Sequence, residues 1–176
     1  MNVLGIDCGF GSMGWAVVSM LPDTINPILC GVITTEKSNK KQAVKATEDN
    51  IRRAQILFVE LSHIIEENDI RLIATETMSW PRNAGIVAKM GIAWGVIASA
   101  AEIRTVPIVQ ASPMEIKRRV TGDGKASKER MIETIRCRFP YLSLPHQLGL
   151  QEHAADAVGA VLACEDTQLM KWVRMK

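Results

Sequence analysis

The chain has 176 residues, 47% of them hydrophobic, enough length and apolar content for one globular domain with a sizeable core rather than a disordered tail. A formal net charge of +2, from 21 Lys and Arg against 19 Asp and Glu, excludes bulk charge as a nucleic-acid signal, so any such surface has to be local. Cys8, Cys30, Cys137 and Cys164 are scattered without a CxxC; they read as small buried hydrophobes in a reducing compartment, not as a disulfide framework or zinc site.

Residues 3–6 (VLGI) read as a buried strand that ends in Asp7. Gly9, Gly11 and Ser12 supply a turn, and residues 14–19 (GWAVVS) a second strand. Pro22, Asp23, Asn26 and Pro27 mark another turn before a third strand at 28–35. Three strands joined by short turns predict an antiparallel meander. The basic stretch 37–45 reads as a solvated face leading into a long helix, with Ile51, Ala54, Phe58, Leu61 and Ile65 recurring three and four apart.

Residues 71–77 (RLIATET) give a fourth strand, ending at a second acid, Glu76, and Pro81 bars its continuation. Residues 84–104 form a helix that is apolar almost all round and is expected to bury two sides. It contains Lys89 and is flanked as in a βαβ unit, so no membrane span is expected. No leader is read before the first strand, and the expected location is cytoplasmic. A fifth strand covers 106–110; Ser112, Pro113 and Glu115 then open a helix to Val120. A glycine loop, 121–125, leads to a helix from Ser127 to near Phe139. The last helix, from Gln151 to about Asp166, carries Glu152, His153 and Asp156. No repeat or domain boundary interrupts this mixed α/β pattern, so residues 1–176 read as one domain.

The chemistry lies in the acids. A carboxylate at the end of a buried strand is costly unless a cation or hydrogen bonds offset its desolvation. If the first and fourth strands are neighbours, Asp7 and Glu76 reach one sheet edge. His153 and Asp156, three apart, and Glu152 and Asp156, four apart, share one helix face. Ala155, Val158 and Leu162 form an adjoining stripe that would press this helix on the sheet. Oxygen ligands without thiols suit a hard cation, Mg²⁺ or Mn²⁺, and paired ions serve in-line phosphoryl displacement. For Asp7 and Asp156 taken singly, a functional and a merely structural role fit equally.

Gly5-Ile6-Asp7-Cys8-Gly9 on the first strand, Thr75-Glu76 ending a later one, and His153-Ala154-Ala155-Asp156-Ala157 on a C-terminal helix together resemble the RuvC-type Holliday-junction resolvases of the ribonuclease H-like superfamily. The likeness runs from about Val3 to Cys164 and includes the basic segment from Lys117 to Lys128. It implies a mixed five-stranded sheet, an antiparallel meander followed by parallel strands, with helices on both faces. It also implies a crossover junction endodeoxyribonuclease. Asp7, Glu76, His153 and Asp156 would hold two Mg²⁺ or Mn²⁺ ions, with Lys117 and Lys128 flanking the scissile phosphate. Products would carry 5′-phosphate and 3′-hydroxyl ends.

Cys8 replaces the family's usual proline, and His153 stands where many members carry Asp. Ser79 takes a position often aromatic in the family, and Trp80 beside it can supply a stacking surface for exposed bases. Arg82 and Asn83, with Lys117, Arg118, Arg119, Lys125 and Lys128, are the expected contacts to four-way DNA. Paired nicks imply a twofold homodimer, assigned to helix 84–104, with Ile92 and Val96 as its test positions. The competing readings are a broader branched-DNA or RNA–DNA hybrid nuclease, a non-catalytic junction-binding protein, and a fragment of a sugar-kinase or actin-like ATPase. The cellular setting would be a bacterial cell or a phage-infected host.

Overall fold

The protein is described from a computed structural model covering residues 1–22, 24–38, 45–78 and 82–174. Strands β1 (Asn2–Asp7), β2 (Ser12–Met20) and β3 (Ile25–Thr34) form the antiparallel meander. β4 (Ile70–Glu76) pairs parallel with β1, and β5 (Ile108–Ala111) parallel with β4, giving the order β3-β2-β1-β4-β5. β3 begins three residues earlier than the sequence suggested. It is an edge strand, where Pro27 can pair with Val18 at a register shift without costing an inner ladder its donor.

Side-chain alternation along the strands feeds two cores. Leu4, Ile6, Val17 and Ile73 face helices α1 (Ala46–Glu67) and α2 (Ala84–Ile103). Val3, Ala16, Val18, Leu72 and Ala74 face α3 (Pro113–Thr121), α4 (Lys128–Arg138), α5 (Leu148–Cys164) and α6 (Gln168–Arg174). The Ser112–Glu115 capping box and the left-handed Gly122 bound α3 as their residue types imply.

Three expectations are corrected. The buried stripe of α1 is Asp49, Arg53, Leu57, Leu61 and Ile65, four apart throughout, and Ile51 is 61% exposed. α5 starts at Leu148, three residues earlier than expected, so Glu152 lies beyond its first turn, and α6 follows as a separate short helix. Among the cysteines, Cys164 is buried, Cys8 and Cys30 are half-buried, Cys137 is exposed, and all four are free thiols.

By length and composition alone, α2 could cross a membrane. However, Ala93, Val96, Ile97, Ala100 and Ala101 are buried in the core shared with α1, while Ile86, Gly91, Gly95 and Ala98 face outward.

Candidate active site

Alternation decides which way the strand-end acids face. Val3 and Gly5 point to the α5 side of β1, so Asp7, two further on, does the same. Leu72 and Ala74 carry the same argument to Glu76 on β4. Ile6 is in register with Thr75 on the parallel neighbour, which brings Asp7 and Glu76 side by side at one edge.

α5 can reach these acids because two strand positions lack a side chain. A Cβ on Gly5 would stand 2.0 Å from the Ala157 carbonyl oxygen, and one on Gly14 would stand 2.1 Å from that of His153. The helix backbone therefore rests directly on the sheet. Gly14 is the register partner of Asp7, so the contact delivers the His153 ring to that carboxylate, with Nδ1 2.6 Å from Oδ2. Since a carboxylate oxygen accepts, Nδ1–H donates, and whenever the ring is neutral Nε2 is its lone-pair nitrogen. Asp156 follows one helical turn later.

The electrostatics of this edge call for positive charge. Burial, and then the negative charge of Asp7, pushes Glu76 up to about 7, while Lys117 partly offsets the rise. Asp156 is likewise pushed up to about 7 by burial and then by Asp7, Glu152 and Glu76, with His153 opposing. The hydrogen bond to Asp7 is the main cause holding His153 above its ordinary value. Burial and the same acids push the Cys8 thiol up to about 12, so it remains protonated and offers no thiolate. Among the described residues, no three His, Cys, Asp or Glu side chains are gathered tightly enough to cage a cation as they stand. The donor set nonetheless fits one: three carboxylates with an imidazole, two of the carboxylates held toward neutrality by burial and mutual repulsion.

The expected cationic residues divide by location. Lys117 on α3 is near enough to Glu76 to act on it. Lys128, at the start of α4, forms an ion pair with Glu152 and is also raised by Asp156 and Asp7, so it borders the same edge. Arg118, Lys125 and Arg82 are exposed. Asn83 caps α2, its side chain accepting from the Ile86 N–H at 3.1 Å. Arg119 is turned to internal use: it pairs with Glu165, lies 3.6 Å from Asp166 and donates to the Leu162 carbonyl at 3.2 Å. Leu162 is roughly 14 Å along α5 from His153 at 1.5 Å per residue. Ser79 and Trp80 lie outside the described residues.

Sequence reading passed over Arg53 and Thr35, both buried and both bonded to the turn that follows Asp7. The four-residue spacing Asp49, Arg53, Leu57, Leu61 was the available signal.

Comparison with known proteins extends over the whole of this architecture. The family model described as crossover junction endodeoxyribonuclease RuvC matches residues 3–164. The RuvC of Pseudothermotoga lettingae is 33% identical over 146 residues, covering 82% of this chain and 84% of the relative. That of Roseiflexus is 30% identical over 163 residues, covering 93% and 89%. The solved T. thermophilus RuvC in complex with a Holliday junction substrate shares the fold, with a TM-score of 0.76 over 99% of this chain and 96% of that one at 23% identity. With its mixed sheet, its strand-end acids and a family match from residue 3 to residue 164, the chain belongs to the RuvC family of crossover junction endodeoxyribonucleases.

Proposed function

We propose that this chain resolves four-way DNA junctions by hydrolysing phosphodiesters at the Asp7–Glu76–Asp156 edge. The observation that carries the reading is the meeting of three carboxylates and His153 at one sheet edge, bordered by Lys117 and Lys128.

Divalent-metal dependence comes with the family. In this reading Asp7, Glu76, Asp156 and His153, through Nε2, would hold two ions, Mg²⁺ or Mn²⁺. When bound, such cations supply charge that polarises the phosphodiester and makes water acidic enough to attack near neutral pH. The chain's own residues do the rest. Asp7 holds the His153 ring in one orientation through Nδ1–H, the usual way a carboxylate orients a ligating imidazole. Glu76 and Asp156, both held toward neutrality by burial and their neighbours, would have to give up their protons to serve as ligands. Lys117 and Lys128 draw the phosphate to the edge; Lys128 exchanges Glu152 for it. Cleavage leaves 5′-phosphate and 3′-hydroxyl ends.

Arg82, the amide N–H₂ of Asn83, Arg118 and Lys125 contact the DNA backbone. Ser79 and Trp80 are the proposed contact with unpaired bases. Arg119 is not carried into this surface, because its guanidinium is engaged by α5 and the residues after it. Two symmetric nicks need two sites, so the working unit is a twofold homodimer of 176-residue single-domain chains. The outward face of α2, with Gly91, Gly95 and Ala98, forms the interface; Val96 does not, since the chain's own core already buries it. The place of action is the cytoplasm of a bacterial cell or a phage-infected host.

Cleavage rates on four-way, three-way and RNA–DNA hybrid substrates test the reading. The four-way junction should be cut fastest, in paired symmetric nicks. Equal rates on all three would favour a broader nuclease, and tight junction binding without nicking would favour a purely binding role.

A further inference from the structure

Arg53 is only 4% exposed, yet among the described residues its partners are a hydroxyl, a carbonyl and a ring face. Its Nε donates to Thr35 Oγ1 at 2.9 Å and its Nη2 to the Phe10 carbonyl at 3.3 Å, with the guanidinium 4.3 Å from the Phe10 ring centre. Thr35, also buried, donates its hydroxyl to the same Phe10 carbonyl at 2.6 Å and its backbone N–H to the Gly11 carbonyl at 2.9 Å. Three of these four hydrogen bonds end on two consecutive carbonyls of the turn that leaves Asp7.

A buried guanidinium without a carboxylate is costly, and an apolar side chain of similar volume is commonly tolerated as well or better. Stability therefore gives a weak reason for an arginine here. The turn gives a stronger one. It has no slack, since a Cβ on Gly9 would stand 2.0 Å from the Ser12 carbonyl oxygen. Any shift of the Phe10 and Gly11 peptides would be passed back to Asp7. A planar guanidinium fork holds a hydroxyl and a carbonyl at fixed spacing, which a lysine ammonium cannot.

We infer that Arg53 and Thr35 are positioning residues: they clamp the Phe10–Gly11 carbonyls so that the preceding carboxylate, Asp7, is held aimed for cation binding. The inference rests on reading Asp7 as a cation ligand. Neither residue touches the reacting atoms; both act through the turn.

The test is Mn²⁺ titration of the DNA-free protein by calorimetry, alongside thermal unfolding and nicking as a function of Mn²⁺. Arg53→Met and Thr35→Val should each weaken Mn²⁺ binding about tenfold, the usual scale for losing an outer partner of a metal ligand. Arg53→Lys should restore less than half of the lost affinity. Nicking should fall at limiting Mn²⁺ and recover when the ion saturates. A merely structural role would lower the unfolding temperature and leave the Mn²⁺ affinity of the folded protein in place. Wild-type affinity in a folded Arg53→Met or Thr35→Val protein overturns the clamp. If Arg53→Met does not fold, Thr35→Val decides, because it keeps the guanidinium and exchanges only the hydroxyl for a methyl group. A wild-type protein that binds no Mn²⁺ overturns the reading of Asp7 itself, and the clamp with it.

Discussion

The His153 carbonyl rests against Gly14, where a Cβ would stand 2.1 Å from its oxygen. Because Gly14 pairs in register with Asp7, this backbone contact sets the 2.6 Å approach of the imidazole to the carboxylate. No rotamer change can relieve a clash between a Cβ and a backbone carbonyl. Gly14→Ala should lift the start of α5 from the sheet and cost about 1–3 kcal/mol, the usual range for overpacking. Nicking by the folded fraction should fall further than stability does. Denaturant unfolding beside a nicking assay checks this; wild-type activity in Gly14→Ala would show that the close approach does not set the site.

Stability without metal should run against the pattern of an ordinary carboxylate pair. Glu76 and Asp156 are raised to about 7 from ordinary values of 4.5 and 3.8, so the folded chain holds their protons more tightly than the unfolded one. Their stabilisation is fully present below about pH 4 and is lost as pH rises to about 7. His153, also raised, adds a loss in the same direction from its ordinary 6.5 upward. Asp49, lowered to about 2 mainly by its hydrogen bond from Ser38, acts oppositely but only in more acidic solution, as pH falls from 3.8. In EDTA the denaturation midpoint should therefore drop between pH 5 and pH 8, and Mn²⁺ should flatten that slope by binding the deprotonated acids. A midpoint that rises over this range in EDTA contradicts the charge arrangement.

Much of this arrangement was legible in the sequence because a strand-end acid keeps its meaning once the strand order is known. Asp7 and Glu76 needed only β1 and β4 to be parallel neighbours, and a meander followed by βα units gives that order. The glycines were legible as a turn, but the roles of Gly5 and Gly14 as a bed for α5 depend on a helix more than a hundred residues away. The α1 face was legible only in part for a similar reason: Leu61 and Ile65 are buried and Ala54 and Phe58 pack against the core, but Ile51 is exposed and Arg53 is buried. Hydrophobic periodicity assigns Arg53 to solvent, and only Thr35 and Phe10, brought in from other strands and turns, make its burial possible. Arg119 and Lys128 look alike in a basic cluster, yet one is tied to the far end of α5 and the other to Glu152 beside the site.

His153 gives the site its departure from the more usual carboxylate. Imidazole suits borderline cations better than Mg²⁺, so Mn²⁺ should support faster nicking in the wild type. His153→Asp should shift the Mg²⁺-to-Mn²⁺ rate ratio toward Mg²⁺ by about tenfold, a typical scale for changes in metal-site partners. Unchanged preference and rate would remove His153 from the ligand set.

Association through α2 separates two adjacent positions. Gly95 is exposed with open space around it, whereas Val96 is only 9% exposed, in the core shared with α1. Gly95→Glu should lower the mass measured by sedimentation to that of a monomer while the chain stays folded. Val96→Glu should instead unfold it, since a buried unpaired charge costs several kcal/mol. A Gly95→Glu protein that remains dimeric would place the interface elsewhere.

The central claim is that Asp7 holds the cation that cuts a phosphodiester. The most direct measurement is nicking of a four-way junction by Asp7→Asn in saturating Mg²⁺ and, separately, Mn²⁺, with junction binding followed in parallel. Nicking should fall on the order of a hundredfold or more, the scale of several kcal/mol of lost transition-state stabilisation, while binding persists. Undiminished nicking by a protein that still binds the junction would contradict the claim.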